Sequence, residues 1–240
     1  MGVVIRQSFI TTVLTYVGVV IGYVNVLILF PKFLTPEEIG LVRLIPSAAF
    51  LLLPLAQLGL AQCTVRYYPA FEKKKNGPGE LLAFGFIGVT VGYLITLVLY
   101  NIFRDPITAY FAKESGLVND YQWVILAVLL VMSFQAVAEG YSRALLKIVA
   151  ANFAKEVLVR VGTSITVLLY AVNIITFPVM VYAMIFVYGV SLLYLLGYLA
   201  YRKQLSLKFS FSTFERPQLK EMMVYSMYAL LGAGGSFIIL

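Results

Sequence analysis

The chain has 240 residues, 61% of them hydrophobic and 12% charged, with mean hydropathy +0.92. A soluble domain carries roughly 25% charged residues, so a water-soluble globule is excluded. Eighteen Lys and Arg against eleven Asp and Glu leave +7, and the absence of histidine removes Ser-His-Asp, Cys-His and His-based zinc chemistry together.

A helix needs about 20 apolar residues to cross the hydrocarbon core, so the stretches between charges define the predicted spans. Gln7 to Pro31, Leu44 to Val65, Leu81 to Phe103 and Tyr121 to Ala138 are each uncharged and each fit one crossing. The run from Val161 to Tyr201 is about 60 Å long as helix, twice the core thickness. It must be two helices, broken at Asn173-Ile-Ile-Thr-Phe-Pro178, where the proline cannot continue the ladder. Met222 to Leu240 completes seven spans. The first run is too long for a signal-peptide core and lacks a small-x-small exit, so it counts as a span. Cys63 is the single cysteine, so no intrachain disulfide is possible.

The N-terminus and the even-numbered connections carry 14 of the 18 basic residues, leaving Lys32, Arg43, Arg104 and Lys113 for the odd ones. The positive-inside rule then puts the N-terminus in the cytoplasm. The basic surplus becomes orientation and attraction to anionic inner-leaflet lipid, with no nucleic-acid partner implied. The Glu72-Lys73-Lys74-Lys75-Asn76-Gly77-Pro78-Gly79 connection is a solvated turn by the same logic.

Polar residues inside spans are costly in lipid and are expected to face a bundle interior or aqueous cavity. Asn25 lies deep in the first span and Gln57 in the second; Gln135, Glu139 and Arg143 share one face of the fourth at i, i+4 and i+8. Glu139 and Arg143 are expected to close on each other at the cytoplasmic border. The alternative is a cavity wall in which Glu139 exchanges a proton or sodium ion and Arg143 receives an anionic head group. Arg43 is expected to snorkel to the outer interface. Gly18-Val-Val-Ile-Gly22 and Gly88-Val-Thr-Val-Gly92 are close-contact G-x-x-x-G patterns, and Pro46 with Pro54 should bend the second span. No phosphate-cradling G-x-x-x-x-G-K-[ST] occurs, no connection is long enough for a nucleotide-binding domain, and no clustered acidic site appears. Transport without a cofactor or resident metal is expected, rather than catalysis.

The stretch Phe33-Leu-Thr-Pro-Glu-Glu-Ile-Gly-Leu-Val-Arg43, continuing through Leu53-Pro-Leu-Ala-Gln-Leu-Gly-Leu60 to Val65-Arg-Tyr-Tyr-Pro-Ala-Phe71, resembles the N-terminal region of bacterial polysaccharide-biosynthesis (Wzx-like) flippases of the MOP exporter superfamily. The resemblance implies an all-α polytopic inner-membrane transporter, with a six-helix N-terminal lobe and a similar C-terminal lobe around a central cavity. It also implies a substrate, undecaprenyl-pyrophosphate-linked oligosaccharide, moved to the periplasmic leaflet by alternating access, and polysaccharide assembly proteins as partners. Relatives are about twice as long. The expected division is therefore an N-terminal lobe over 1–202 (spans near 8–31, 43–65, 81–103, 121–143, 155–175 and 179–201), a cytoplasmic linker over 203–221, and the first helix of a truncated second lobe over 222–240. On this basis Arg66 and Arg143 would stand at the cytoplasmic entrance, Arg43 toward the exit, Asn25 and Gln57 along the path, and Glu139 at ion coupling. A MATE-like drug/cation antiporter would favour a more acidic cavity. A glycan polymerase would need a longer outer loop than Arg104 to Asp120, and a non-transporting membrane scaffold is the remaining alternative.

Overall fold

A computed structural model describes residues 2–105, 116–209 and 214–238, and all their regular structure is helical. The chain opens with α1 (Gly2–Val24), which passes through a π-helical turn at Asn25–Leu29 into the short α2 (Phe30–Phe33). These form one apolar rod, Ile5–Phe33. The second helix, α3 (Pro36–Gln57), starts seven residues before the expected position of 43 because the Leu-Thr-Pro-Glu-Glu text is a helix start. Thr35 caps it, with Glu38 N–H donating to Thr35 Oγ1 at 3.4 Å and Thr35 N–H donating to Glu38 Oε2 at 2.8 Å. Pro36 sits where no N–H is needed, and Glu37 and Glu38 favour the positive end of the helix dipole. Glu38 Oε1 also accepts from the Tyr170 hydroxyl at 3.1 Å, tying this start to a distant helix. Glu38→Ala removes the acceptor of the Thr35 N–H and that tie together and is expected to cost about 2 kcal/mol, against about 1 kcal/mol for Thr35→Ala, which removes the cap acceptor alone. Melting of the detergent-purified variants, read by circular dichroism, checks the order; equal melting of both with the parent would refute it.

The expected single span 43–65 is divided. Leu58 and Gly59 both take left-handed conformations, at φ 50° and 69°, and separate α3 from α4 (Leu60–Glu72). The position is glycine because the Ser226 carbonyl lies where a Cβ would stand. Next come α5 (Gly77–Ile102), the short α6 (Gly116–Asp120) and α7 (Gln122–Ala144). Residues 106–115, including Lys113 and Glu114 of the predicted outer loop, lie outside the described residues. Then α8 (Ile148–Asn152) runs through a second π-helical turn, Phe153–Leu158, into α9 (Val159–Ala171). This composite begins seven residues before the expected 155 and ends before Asn173, whose φ is 58°. With Pro178 in its first turn, α10 (Phe177–Tyr201) follows. The last helix, α11 (Arg216–Ile238), begins inside the expected linker, so Arg216, Lys220 and Glu221 are helical.

Five of these helices are long and apolar enough to cross a membrane, against seven expected. The π-turn and α9 carry Lys155, Glu156 and Arg160 within helix, and α11 opens on charged residues, which lowers the apolar content of both. Helix α7 is the axis of the bundle, packed by α3, α4, α5 and α10. One core cluster joins Leu41, Ile45, Val128, Leu129 and Val181; a second joins Phe71, Leu81, Leu82, Val137, Tyr141 and Leu199. Large apolar side chains such as Phe9, Tyr16, Phe186 and Leu193 point outward, while small and polar ones such as Ser133, Gly140 and Ser191 face in. That inversion suits hydrocarbon as the surrounding solvent, where close backbone contact and hydrogen bonds supply cohesion.

Candidate functional site

The glycines of the first helix decide where its cleft forms. A Cβ on Gly18 would lie 2.7 Å from the Glu156 carbonyl oxygen, and one on Gly22 would lie 2.6 Å from Arg160 Nη1. The G-x-x-x-G face of α1 therefore seats the second π-turn and the start of α9. Across this seam Arg160 donates to the Gly18 carbonyl at 2.6 Å and to Glu156 Oε2 at 2.9 Å. Asn25 Nδ2 donates to the Arg160 carbonyl at 3.0 Å, and Asn25 Oδ1 accepts from Ser164 Oγ at 2.6 Å. Near the π-turns the neighbouring helices supply side-chain partners to backbone carbonyls: Ser191 Oγ likewise donates to the Ala154 carbonyl at 2.8 Å.

Beside the seam lies a cleft of about 770 Å³, walled by the rod of α1 and α2 and by α3, α7, α9 and α10. Apolar residues, among them Phe30, Phe50, Met184 and Tyr188, make most of its surface. Its charged groups are Arg43, Glu139, Lys155, Glu156 and Arg160. Glu156 and Arg160 neutralise each other, whereas Arg43 and Lys155 have no ion-pair partner among the described residues. Arg43 stands about 10 Å along α3 from its start. Half-buried Glu139 does not pair with Arg143 as expected. It accepts from Gln135 Nε2 at 3.0 Å and has Lys155 as its strongest cationic influence. Because the Gln135 amide turns its N–H toward the carboxylate, its buried Oε1 is left without a donor at the cleft wall.

Of the polar residues singled out in the sequence, the structure brings Asn25, Arg43, Gln135 and Glu139 to this cleft. Gln57 is buried with an unpartnered Oε1 but does not line it. Arg143 is exposed in the last turn of α7, where a cation complements the dipole. Arg66 lies in a separate groove on α4. Sequence reasoning counted Lys155, Glu156 and Arg160 with a connection for charge, although the expected span 155–175 contains them, and missed their place in the wall. Their i, i+1 and i+5 spacing, with Glu156 and Arg160 four apart, before a long uncharged run was the available signal. Glu156 lines the same cleft as Glu139, and Glu80 is fully buried in the first turn of α5. No group of three or more His, Cys, Asp or Glu gathers among the described residues.

A family described as "Polysaccharide biosynthesis protein" matches residues 4–240. Neither the curated proteins nor the solved structures contain a match.

Proposed function

The chain belongs to the polysaccharide biosynthesis protein family, and from that premise we propose that it is a transporter that moves lipid-linked oligosaccharide across the cell's inner membrane by alternating access. The observation that carries this is the cleft in the helix bundle whose unpaired Arg43 and Lys155 face a predominantly apolar wall. A pyrophosphate-linked glycan cannot cross hydrocarbon unaided, because its charges and hydroxyls would lose hydration. Arg43 offers a planar fork of donors matched to phosphate oxygens, and Lys155 a second cation. Apolar residues accommodate the lipid-proximal part. Glu139, held by Gln135 in the same wall, supplies a carboxylate for ion coupling: it takes a proton or sodium ion as the substrate's negative charge enters or leaves the cleft.

The test uses proteoliposomes of the purified protein and fluorescent undecaprenyl-pyrophosphate oligosaccharide. Accessibility to a membrane-impermeant enzyme is expected to rise with time, driven by an imposed proton or sodium gradient. Glu139→Gln is expected to keep binding but lose at least about tenfold of the gradient-driven rate. A protein that extrudes a lipophilic cation and leaves the oligosaccharide in place would overturn this function and favour the antiporter.

A further inference from the structure

Two carboxylates line the cleft, and their partners differ in kind. Glu156 is held by Arg160 at 2.9 Å, a charged partner that suits only the ionised form. Glu139 accepts instead from the Gln135 amide, four residues back on α7, at 3.0 Å, and no Lys or Arg among the described residues lies within ion-pair distance of it. Lys155 and Glu156 from the π-turn and Arg143 on α7 act on it from further off, with Arg43 of α3, Arg160 of α9 and Tyr188 of α10 elsewhere in the cleft wall. The charged residues of α4 and α5, Arg66, Glu72 and Glu80, do not line the cleft.

An amide can serve a carboxyl in both of its states. Its N–H donates to the ionised carboxylate, and its oxygen accepts from the O–H of the protonated acid. The last torsion of a glutamine is broad and roughly two-fold, so the amide exchanges its two ends by turning over in place. The surroundings of Gln135 fit that use. Its side chain is 5% exposed, and its Oε1, closed off from solvent, accepts from no donor among the described residues. The far side of the amide is therefore unanchored, and turning it breaks only the bond to Glu139, which the protonated acid remakes. Closure from solvent also restricts which group can meet Oε1. A donor beyond the surrounding helices cannot reach it, whereas Glu139 already touches the same amide.

We propose that Gln135 and Glu139 form a two-state proton site on α7, in which the amide donates to the ionised carboxylate and turns over to accept from the protonated one. Protonation forms one O–H bond on a Glu139 carboxylate oxygen, with the proton taken from the aqueous phase; release reverses it, and no other covalent bond changes. A proton needs a single acceptor, which the amide supplies, whereas a sodium ion needs a shell of oxygens and the amide oxygen faces away from the carboxylate. The pair deepens the transport reading and rests on it for its use. A pyrophosphate entering the cleft is a like charge beside Glu139, so substrate entry draws a proton onto the carboxyl and substrate release returns it. Gln135 acts through Glu139 and is a positioning residue.

Infrared difference spectra of the detergent-purified protein, acidified in steps, test the pair. The carbonyl stretch of protonated Glu139, identified by its loss in Glu139→Gln, should appear in the parent at the frequency of a hydrogen-bonded acid. In Gln135→Leu, which removes the amide, the same stretch should move to higher frequency, a shift that a packing role alone would not produce. Undecaprenyl-pyrophosphate oligosaccharide added to weakly buffered parent protein, at a pH just above the midpoint of that stretch, should cause proton uptake, and Glu139→Gln should take up about one proton fewer per molecule bound. An unshifted stretch in Gln135→Leu, or no Glu139 stretch in the parent down to about pH 4, would overturn the site. If Gln135→Leu does not fold, the parent's own frequency decides, and that of a free acid overturns the pair. Loss of the stretch on adding sodium chloride at constant pH would assign the carboxylate to sodium and overturn the proton site. A protein whose stretch shifts but which leaves the oligosaccharide in place would overturn the transport reading and keep the pair; transport with an unshifted stretch would overturn the pair alone.

Discussion

Arg43→Glu is expected to lower the initial rate of lipid-linked oligosaccharide translocation by at least about 100-fold, with little effect on folding. The size follows from two contributions. A hydrogen bond to a charged group is worth roughly 1.5–3 kcal/mol, or about 10- to 100-fold, and all of it is lost when the guanidinium is removed. The new carboxylate then changes the cleft from three cations and two carboxylates to two cations and three carboxylates, which repels a pyrophosphate. Folding is spared because Arg43 is exposed to the cleft and its side chain holds no ion pair among the described residues. The Ser47 hydroxyl bonds the Arg43 backbone carbonyl at 2.8 Å, and that contact survives any substitution at the side chain. Arg43→Lys keeps the charge and loses the fork, so its rate should lie between the two. Arg143→Glu, outside the cleft, serves as the control and should transport within about twofold of the parent, a loss below ~0.5 kcal/mol. A parental rate in Arg43→Glu, measured in the same proteoliposomes, would remove Arg43 from the substrate path.

The membrane class was legible because it depends on composition alone, and the break near Asn173 because a run of that length cannot be one crossing. The charge-free runs failed wherever a charge lies inside a helix. Glu37, Glu38 and Arg43 were treated as boundaries, yet a capping box and a favourable dipole make Thr35 the start of α3. Lys155, Glu156 and Arg160 were likewise counted with a connection for charge. The cost of Arg160 within a helix is offset by Glu156 four residues before it and by partners on α1, and no local pattern in 153–160 announces the α1 partners, which lie 135 or more residues away. The division at Leu58 and Gly59 was hidden for a related reason. Prolines at 46 and 54 suggested a bend, whereas the decisive constraint is the approach of Ser226 from the far end of the chain. Arg43 was legible as a boundary cation, and as a candidate for the substrate path only through the family resemblance, since snorkelling and inward projection have the same sequence.

Gly18→Leu is expected to be the most destabilising single substitution in the α1 seam, costing about 3 kcal/mol or more. The neighbour it meets is backbone: the Glu156 carbonyl oxygen would stand 2.7 Å from the new Cβ, and no side-chain rotation moves it. Separation of α1 from the π-turn would then stretch the Arg160 bond to the Gly18 carbonyl and the Asn25 bond to the Arg160 carbonyl, now 2.6 and 3.0 Å. Those carbonyls and the Arg160 guanidinium would lose partners where water is scarce, a cost added to the steric one. Gly22→Ala meets only the Arg160 guanidinium, the far end of a flexible side chain, and should cost less. Gly40→Ala has open space and is the control. Folded fractions in mixed micelles titrated with sodium dodecyl sulfate should fall in the order Gly40→Ala, Gly22→Ala, Gly18→Leu. If Gly18→Leu unfolds together with Gly40→Ala, the seam is looser than its geometry requires. Because the packing of α1 falls mainly on this seam, and α1 supplies one wall of the cleft, the same substitution should also cost transport, and for a mechanical reason that Arg43→Glu does not share.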